Sequence, residues 1–247
     1  MDDEVGEVED GGVRRPPAAG PDGATALDAA GVAVLGAPPG AGTLAVVLLH
    51  GRDQDPAWMQ EHVLGRLAAR LPDLAVTWVL PAAPDRSWYA GRVHDPPEET
   101  LDERDRAAEV VDALADALAV HGHGAGSLVL GGFSQGACLA ADHLLRRPRR
   151  WAGALVWTGA AFGPPGAARP RPPGDLTGLP VLLTNGDADA WVPLAATEEL
   201  AALLRDHGAA VELRVQPGRA HEVADDELDA AADLLRRLAA GTPGRDG

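Results

Sequence analysis

Ser127-Leu-Val-Leu-Gly-Gly-Phe-Ser134-Gln-Gly-Ala137 is the stretch on which the fold turns. Leu128, Val129 and Leu130 form a short apolar run of the kind that a parallel strand covered on both faces requires, and glycines follow at once. Gly132-Phe133-Ser134-Gln135-Gly136 then fits G-x-S-x-G, in which a serine sits on a strained strand-to-helix turn with its hydroxyl pushed clear of the backbone. A Cβ at either flanking glycine would collide with the neighbouring strand or helix as the chain reverses. The helix starting near Ser134 aims the amide of Gln135, at its positive end, at the place where an oxyanion would form on an attacked carbonyl. The chain holds only three serines, Ser87, Ser127 and Ser134, among 247 residues with 30 glycines, so a chance match is expected roughly 0.04 times. The alternative is a glycine-rich turn whose serine only caps the helix.

Upstream of this elbow, Leu44-Ala-Val-Val-Leu-Leu-His50 reads as a continuous apolar strand, and the polar loop Gly51-Arg-Asp-Gln-Asp-Pro56 leads into a helix through Arg70. Thr25 to Leu35 alternates weakly and is expected to make one or two edge strands before the turn Gly36-Ala-Pro-Pro-Gly40. Ala75 to Leu80 is the next strand. It opens into a long loop from Pro81 to Gly91 that carries the aromatic pair Trp88-Tyr89. Leu101 to Val120 has Ala and Val on one face and Asp, Glu and Arg on the other, which predicts a helix.

Downstream, the elbow helix runs to Arg147 and a strand follows from Ala152 to Trp157. The Pro-rich loop over 159–179 holds no periodic segment long enough for a separate lid. A strand Val181 to Asn185, a helix Pro193 to His207, a strand Val211 to Val215 and a helix Glu222 to Leu238 complete the pattern. Strands alternating with helices predict an α/β fold, a mostly parallel sheet with helices on both faces. Right-handed crossovers then place the strand C-terminal ends on one edge, where the loops build a site. Residues 25–240 are expected to form this domain, between a disordered acidic tail at 1–24 and a flexible tail at 241–247.

A formal charge of −16 argues against nucleic acid or an anionic membrane surface as a partner, since both would be repelled. All 21 basic residues are arginine, which carries no functional message. The single cysteine, Cys138, excludes an intramolecular disulfide and a cysteine-based zinc cluster and fits a reducing compartment; its place one turn into the elbow helix suggests packing. The acidic start Met1 to Asp10 lacks the basic and apolar regions of a signal peptide, and no apolar run reaches the length of a membrane span, so the cytoplasm is the expected location. The oligomeric state is not legible.

With a nucleophilic serine at an elbow of this kind, an acid and a base are expected in loops after later strands, in the order Ser, Asp, His. Gly186-Asp-Ala-Asp189-Ala-Trp-Val-Pro193 follows one such strand and Gly218-Arg-Ala-His221-Glu follows the next. His221 would take the Ser134 proton and a carboxylate would hold the imidazole in the right tautomer. Asp187 and Asp189 compete for that role, Asp187 nearer the strand as a turn residue and Asp189 deeper in the loop.

His50-Gly51-Arg52 closes the strand before the first helix, where the amide of Arg52 is placed to be a second oxyanion donor; the alternative is a simple strand-ending turn. Trp88 and Tyr89 either wall a substrate pocket or pin their loop to the body. Arg52, Arg86 and Arg92 are candidates to attract an acidic substrate group, with solvated side chains as the alternative. The remaining histidines read as structural or solvated, no pair has zinc spacing, and no metal or cofactor is implied.

Taken together, Leu49-His-Gly-Arg52, Gly132-Phe-Ser-Gln-Gly-Ala137, Gly186-x-x-Asp189-x-x-Val-Pro193 and His221, in this order, resemble the phospholipase/carboxylesterase family of α/β-hydrolases, which includes small bacterial esterases and the acyl-protein thioesterases. The resemblance runs from about Leu44 to Leu238. Gly-Phe-Ser-Gln-Gly is more specific to this family than G-x-S-x-G alone, and Ser87-Trp-Tyr89 resembles a loop of its small bacterial esterases. Asp53 stands where the family often has the second glycine of H-G-x-G, and Ala220 stands where a glycine usually precedes the histidine. The resemblance implies an α/β-hydrolase fold, Asp189 as the acid, and a serine esterase acting on small-molecule carboxylic esters through Ser134, His221 and Asp189. Rival expectations are an acyl thioesterase, a non-catalytic ligand-binding protein on the same fold, and a dienelactone-hydrolase-like enzyme. The last would want a cysteine at the elbow, and Cys138 is four residues late.

Overall fold

In the computed structural model, which describes residues 25–147, 149–167 and 175–241, the chain builds a sheet around two completely buried strands. These are β2 (Leu44–Leu49) and β4 (Leu128–Phe133), hydrogen-bonded in parallel with Ala45 opposite Leu128. With β1 (Val32–Gly36), β3 (Val76–Pro81), β5 (Gly153–Trp157), β6 (Pro180–Gly186) and β7 (Ala210–Gln216) they form a 7-stranded sheet in the order β1-β3-β2-β4-β5-β6-β7. Every neighbouring pair is parallel except β1 with β3. The expected mostly parallel α/β sheet is therefore present, with a single antiparallel edge strand where one or two were expected.

The continuous apolar run of β2 follows from burial on both faces. Ala45, Val47 and Leu49 pack with residues of α3 (Leu101–Val120), α4 (Gln135–Arg146) and α5 (Leu194–Asp206), among them Val111, Leu139 and Leu200. Leu44, Val46 and Leu48 face the other layer, which includes Met59 of α1 (Pro56–Met59), Leu67 of α2 (Gly65–Ala68) and Leu228 of α6 (Asp225–Gly241). Each leucine so buried contributes about 1.5–3 kcal/mol. The edge strand β7 is only partly covered and carries Glu212 and Arg214, charges suited to a strand with a free edge.

Several element limits differ from the sequence reading. The helix expected from Pro56 through Arg70 is α1, a π-helical turn over Gln60–Leu64, and α2 in succession. Strand β4 carries on through its glycines to Phe133, because Gly131 and Gly132 still pair with Leu48 and Leu49. The last helix starts three residues later than expected, at Asp225, and runs on to Gly241, the first residue of the expected tail. The expected tail at 1–24, the remainder of the second at 242–247, and 168–174 of the Pro-rich loop lie outside the described residues. Among the described residues no helix is long and apolar enough to cross a membrane. The C-terminal ends of β2 to β7 share one edge, and the loops leaving them carry His50, Trp88, Ser134, Asp189 and His221.

Candidate active site

Ser134 follows β4 directly and precedes α4, with φ 55° and ψ −117°, a conformation that residues bearing a Cβ seldom occupy. Its surroundings hold it there. Its amide donates to the Trp157 carbonyl at 3.0 Å, and its own carbonyl accepts from Cys138 N at 3.0 Å. The flanking glycines are steric necessities. A Cβ on Gly132 would lie 2.5 Å from the carbonyl of Gly136, and one on Gly136 would strike the Leu49 carbonyl oxygen and stand 2.6 Å from that of His50. The start of α4 is thus pressed against both its own strand and the end of β2. Ser134 does not cap the helix with its side chain; its Oγ lies 2.8 Å from His221 Nε2 instead.

His221 lies in the loop between β7 and α6, and its Nδ1 is 2.8 Å from Asp189 Oδ2. The Asp189 carboxylate has no exposed surface, and its Oδ1 accepts from the amides of Trp191 at 2.8 Å and Val192 at 2.9 Å. Burial by itself would raise this carboxyl, but the hydrogen bonds from His221, Val192 and Trp191 outweigh it and hold the group below its ordinary range. An ionised acceptor at Oδ2 requires the proton on His221 Nδ1, which leaves Nε2 free to accept from the serine hydroxyl. Asp187 goes elsewhere: it accepts from Gly218 N at 2.6 Å and ties the two loops together.

Each loop is locked by side chains that the sequence alone did not single out. Asn185, the penultimate residue of β6, donates to the Val192 carbonyl and to Thr197 Oγ1, both at 2.9 Å, and so fixes the ends of the Asp189 loop. Arg219 does the same for His221. Its Nη1 donates to the Ala220 carbonyl at 2.9 Å and to that of Glu222, the two carbonyls flanking the histidine. Its Nη2 meets Glu227 Oε1 at 3.0 Å, and the second Glu227 oxygen accepts from Ala224 N at 2.6 Å. This pair is almost fully enclosed, with 4% and 0% of the two side chains exposed.

A third lock holds the end of β2. His50 is 1% exposed, and its Nε2 accepts from Ala83 N at 3.0 Å, so the ring proton sits on Nδ1 and is donated to the Gly51 carbonyl at 2.7 Å. Burial pushes the imidazole's pKa down and keeps it neutral. The Arg52 side chain is exposed, and its guanidinium donates to Ser87 Oγ at 3.3 Å and to the carbonyls of Tyr89 at 3.1 Å and Gly91 at 2.5 Å. Arg86 is exposed beside Asp55 at 3.8 Å. Asp53 takes φ 60°, the left-handed region a glycine fills without strain, and its amide donates to the Arg86 carbonyl at 2.9 Å. Aspartate tolerates that region better than most residues, so the loop keeps its turn without the second glycine.

The Gln135 amide is the first of α4, and its side chain has a separate job: Oε1 accepts from Trp88 N at 2.9 Å while Nε2 donates to the Tyr89 carbonyl at 2.8 Å. Trp88 Nε1 donates to the His50 carbonyl at 2.8 Å, and the Tyr89 ring packs edge-on against Phe162 with centroids 4.8 Å apart. Each of these two rings is 4% exposed, and what remains open borders a cleft of about 520 Å³ against α3 whose lining does not include Ser134 or His221. Their contacts describe anchoring of the loop. No residue spacing could have announced this, because Gln135 and its partners are 46 and 47 residues apart.

Trp191 is the other feature the sequence reading passed over. Its indole is 74% exposed and its ring centroid is 6.3 Å from that of His221, while Phe133 lies 5.1 Å from the same imidazole. Among the described residues no group of three or more His, Cys, Asp or Glu side chains is placed to hold a metal ion.

The family model described as phospholipase/carboxylesterase matches residues 32–239. A probable carboxylesterase of Oryza sativa subsp. japonica is 28% identical over 202 residues, covering 74% of this chain and 73% of the relative. The crystal structure of a phospholipase/carboxylesterase from Dyadobacter fermentans superposes with a TM-score of 0.71 at 28% identity, over 83% of this chain and 95% of that one. That of esterase PE8 gives 0.69 at 29% identity, over 83% and 97%. The elbow, the sheet order and these likenesses agree: the chain belongs to the phospholipase/carboxylesterase family of α/β-hydrolases and is a carboxylic ester hydrolase.

Proposed function

We propose that the chain hydrolyses small-molecule carboxylic esters through an acyl-enzyme on Ser134, within a hydrolase domain spanning 25–240. The observation that carries this reading is the unbroken chain from Ser134 Oγ to His221 Nε2 and from His221 Nδ1 to Asp189, each link 2.8 Å. Ser134 Oγ attacks the acyl carbon as its proton passes to His221 Nε2. The imidazolium then gives that proton to the departing alkoxide. Water attacks the acyl-enzyme, again losing its proton to His221, and Ser134 is restored as the acid leaves. Asp189 keeps the proton on Nδ1 and offsets the charge of the imidazolium. The amides of Gln135 and Arg52 are the proposed oxyanion donors. The first stands at the positive end of α4, and the second follows the His50–Gly51 turn that packs under Gly136.

A fluorophosphonate probe followed by mass spectrometry of the intact chain and its peptides tests the assignment without knowledge of the natural substrate. The expected result is one adduct at Ser134 that disappears in His221→Ala. Folded protein that takes no label and turns over neither p-nitrophenyl esters nor acyl thioesters would replace this reading with a ligand-binding role.

A further inference from the structure

We infer that Trp191 walls the alcohol side of the site and selects esters whose alcohol part carries a flat aromatic ring. The inference rests on the role proposed above for His221. The proton that His221 returns must reach the leaving oxygen, so that oxygen comes within about 3 Å of Nε2. Whatever is attached to it extends past the imidazole. The indole of Trp191 is a neighbour of that imidazole, its centroid 6.3 Å away and its plane tilted by 50°. Phe133 also neighbours His221, at 5.1 Å, and is backed by Trp58, whose ring stacks on Phe133 at 5.8 Å.

Of these rings only Trp191 offers an open face. Phe133 is 2% exposed and Trp58 is half-buried, whereas 74% of Trp191 is accessible. Among the described residues it is the one large aromatic side chain that is exposed. Nor is it the tip of a loose loop. Its amide is bonded to Asp189 Oδ1 at 2.8 Å, the next residue, Val192, is 6% exposed, and the Val192 carbonyl is held by Asn185 at 2.9 Å. The same carboxylate that orients His221 therefore orients the backbone from which the indole projects. An open aromatic face on an anchored backbone, beside the group that protonates the leaving oxygen, favours a flat apolar partner, through stacking and burial of both surfaces.

The test compares kcat/KM of wild type, Trp191→Ala and Trp191→Phe on methyl, hexyl and benzyl acetate and on methyl octanoate, with Ser134→Ala as control. Ratios of variant to wild type cancel the intrinsic reactivity of each leaving group. Trp191→Ala is expected to lose about tenfold on benzyl acetate and under about twofold on methyl acetate and methyl octanoate, with Trp191→Phe within about threefold of wild type on all four. Equal losses on all four esters would mean that Trp191 acts through His221 and would overturn the inference. A loss confined to methyl octanoate would overturn it by placing the indole on the acyl side, and equal losses on hexyl and benzyl acetate would remove the aromatic preference. Turnover that survives in Ser134→Ala would instead bring down the active-site assignment itself. The side chain of Trp191 is exposed, so the variants are expected to unfold at the wild-type temperature.

Discussion

Ser134 Oγ and His221 Nε2 stand 2.8 Å apart although 87 residues separate them in the chain. In the proposed mechanism the two act as a unit, so Ser134→Ala and His221→Ala are each expected to lower kcat on a p-nitrophenyl ester by a factor on the order of 10⁵, and the double variant no further. A Ser134→Ala protein that keeps a tenth of the wild-type kcat would remove Ser134 from the reaction.

Asp189→Asn keeps an oxygen for the amides of Trp191 and Val192 but sets an amide NH₂ against the His221 Nδ1–H, so the ring adopts the wrong tautomer and kcat is expected to fall on the order of 10⁴-fold. The carboxyl also links stability to pH. Its folded pKa lies below its ordinary value of 3.8, so the contribution is fully present above that value and is lost as pH falls through the folded value. Urea unfolding should therefore show a stability gap between wild type and Asp189→Asn that is constant above about pH 5 and narrows only under stronger acid. A gap that widens on acidification would contradict the assignment of Asp189 as a buried carboxylate stabilised by its donors.

Gly136→Ala is expected to cost about 2 kcal/mol or more, since the new methyl meets backbone of Leu49 and His50 rather than a flexible side chain end. Relief would come from parting α4, which begins at Gln135, and the end of β2, from which the loop carrying the Arg52 amide leaves. Thermal unfolding and kcat should fall together; an Ala variant of wild-type stability would show that the elbow is looser than its contacts imply.

Arg219 of the His221 loop and Glu227 of α6 form an enclosed pair. Arg219→Met or Glu227→Leu alone leaves a buried charge without its partner and is expected to cost about 3–5 kcal/mol, while the double variant costs less than the sum. Strictly additive losses in a denaturant-unfolding cycle would mean that the two side chains act separately.

Cys138 is 2% exposed, with Ala160 N at 3.3 Å from its sulfur, and burial pushes its thiol up to about 11. The native protein at pH 8 should resist iodoacetamide for as long as it stays folded, and denatured protein should be alkylated at once. Rapid native labelling would mean that α4 opens readily.

The elements were legible where one physical signal dominates. The doubly buried run Leu44 to Leu49 could only be an interior strand, and glycine at 132 and 136 around Ser134 could only serve a tight reversal. An acidic loop and then a histidine loop after Ser134 were expected from the alternation of strands and loops. Boundaries were less legible: the ladder carries β4 across glycines that local propensity would have used to end it. Residue type and spacing alone left Asp187 and Asp189 in competition and the family resemblance favoured Asp189; the paths of β6 and β7 bring its Oδ2 to 2.8 Å from His221.

The amino-acid sequence by itself thus determined the parallel sheet and the elbow, because burial on two faces and freedom from a Cβ are properties of short stretches. Only the tertiary structure decided what holds the loops of the candidate site in place. The bonds of His50 to Ala83, of Gln135 to the Trp88–Tyr89 loop and of Asn185 to Val192, and the enclosure of Arg219 with Glu227, join residues whose partners are set by which loops the sheet edge gathers. The open face of Trp191 was decided there too, since whether an indole is covered depends on everything that surrounds it and not on its neighbours in the chain.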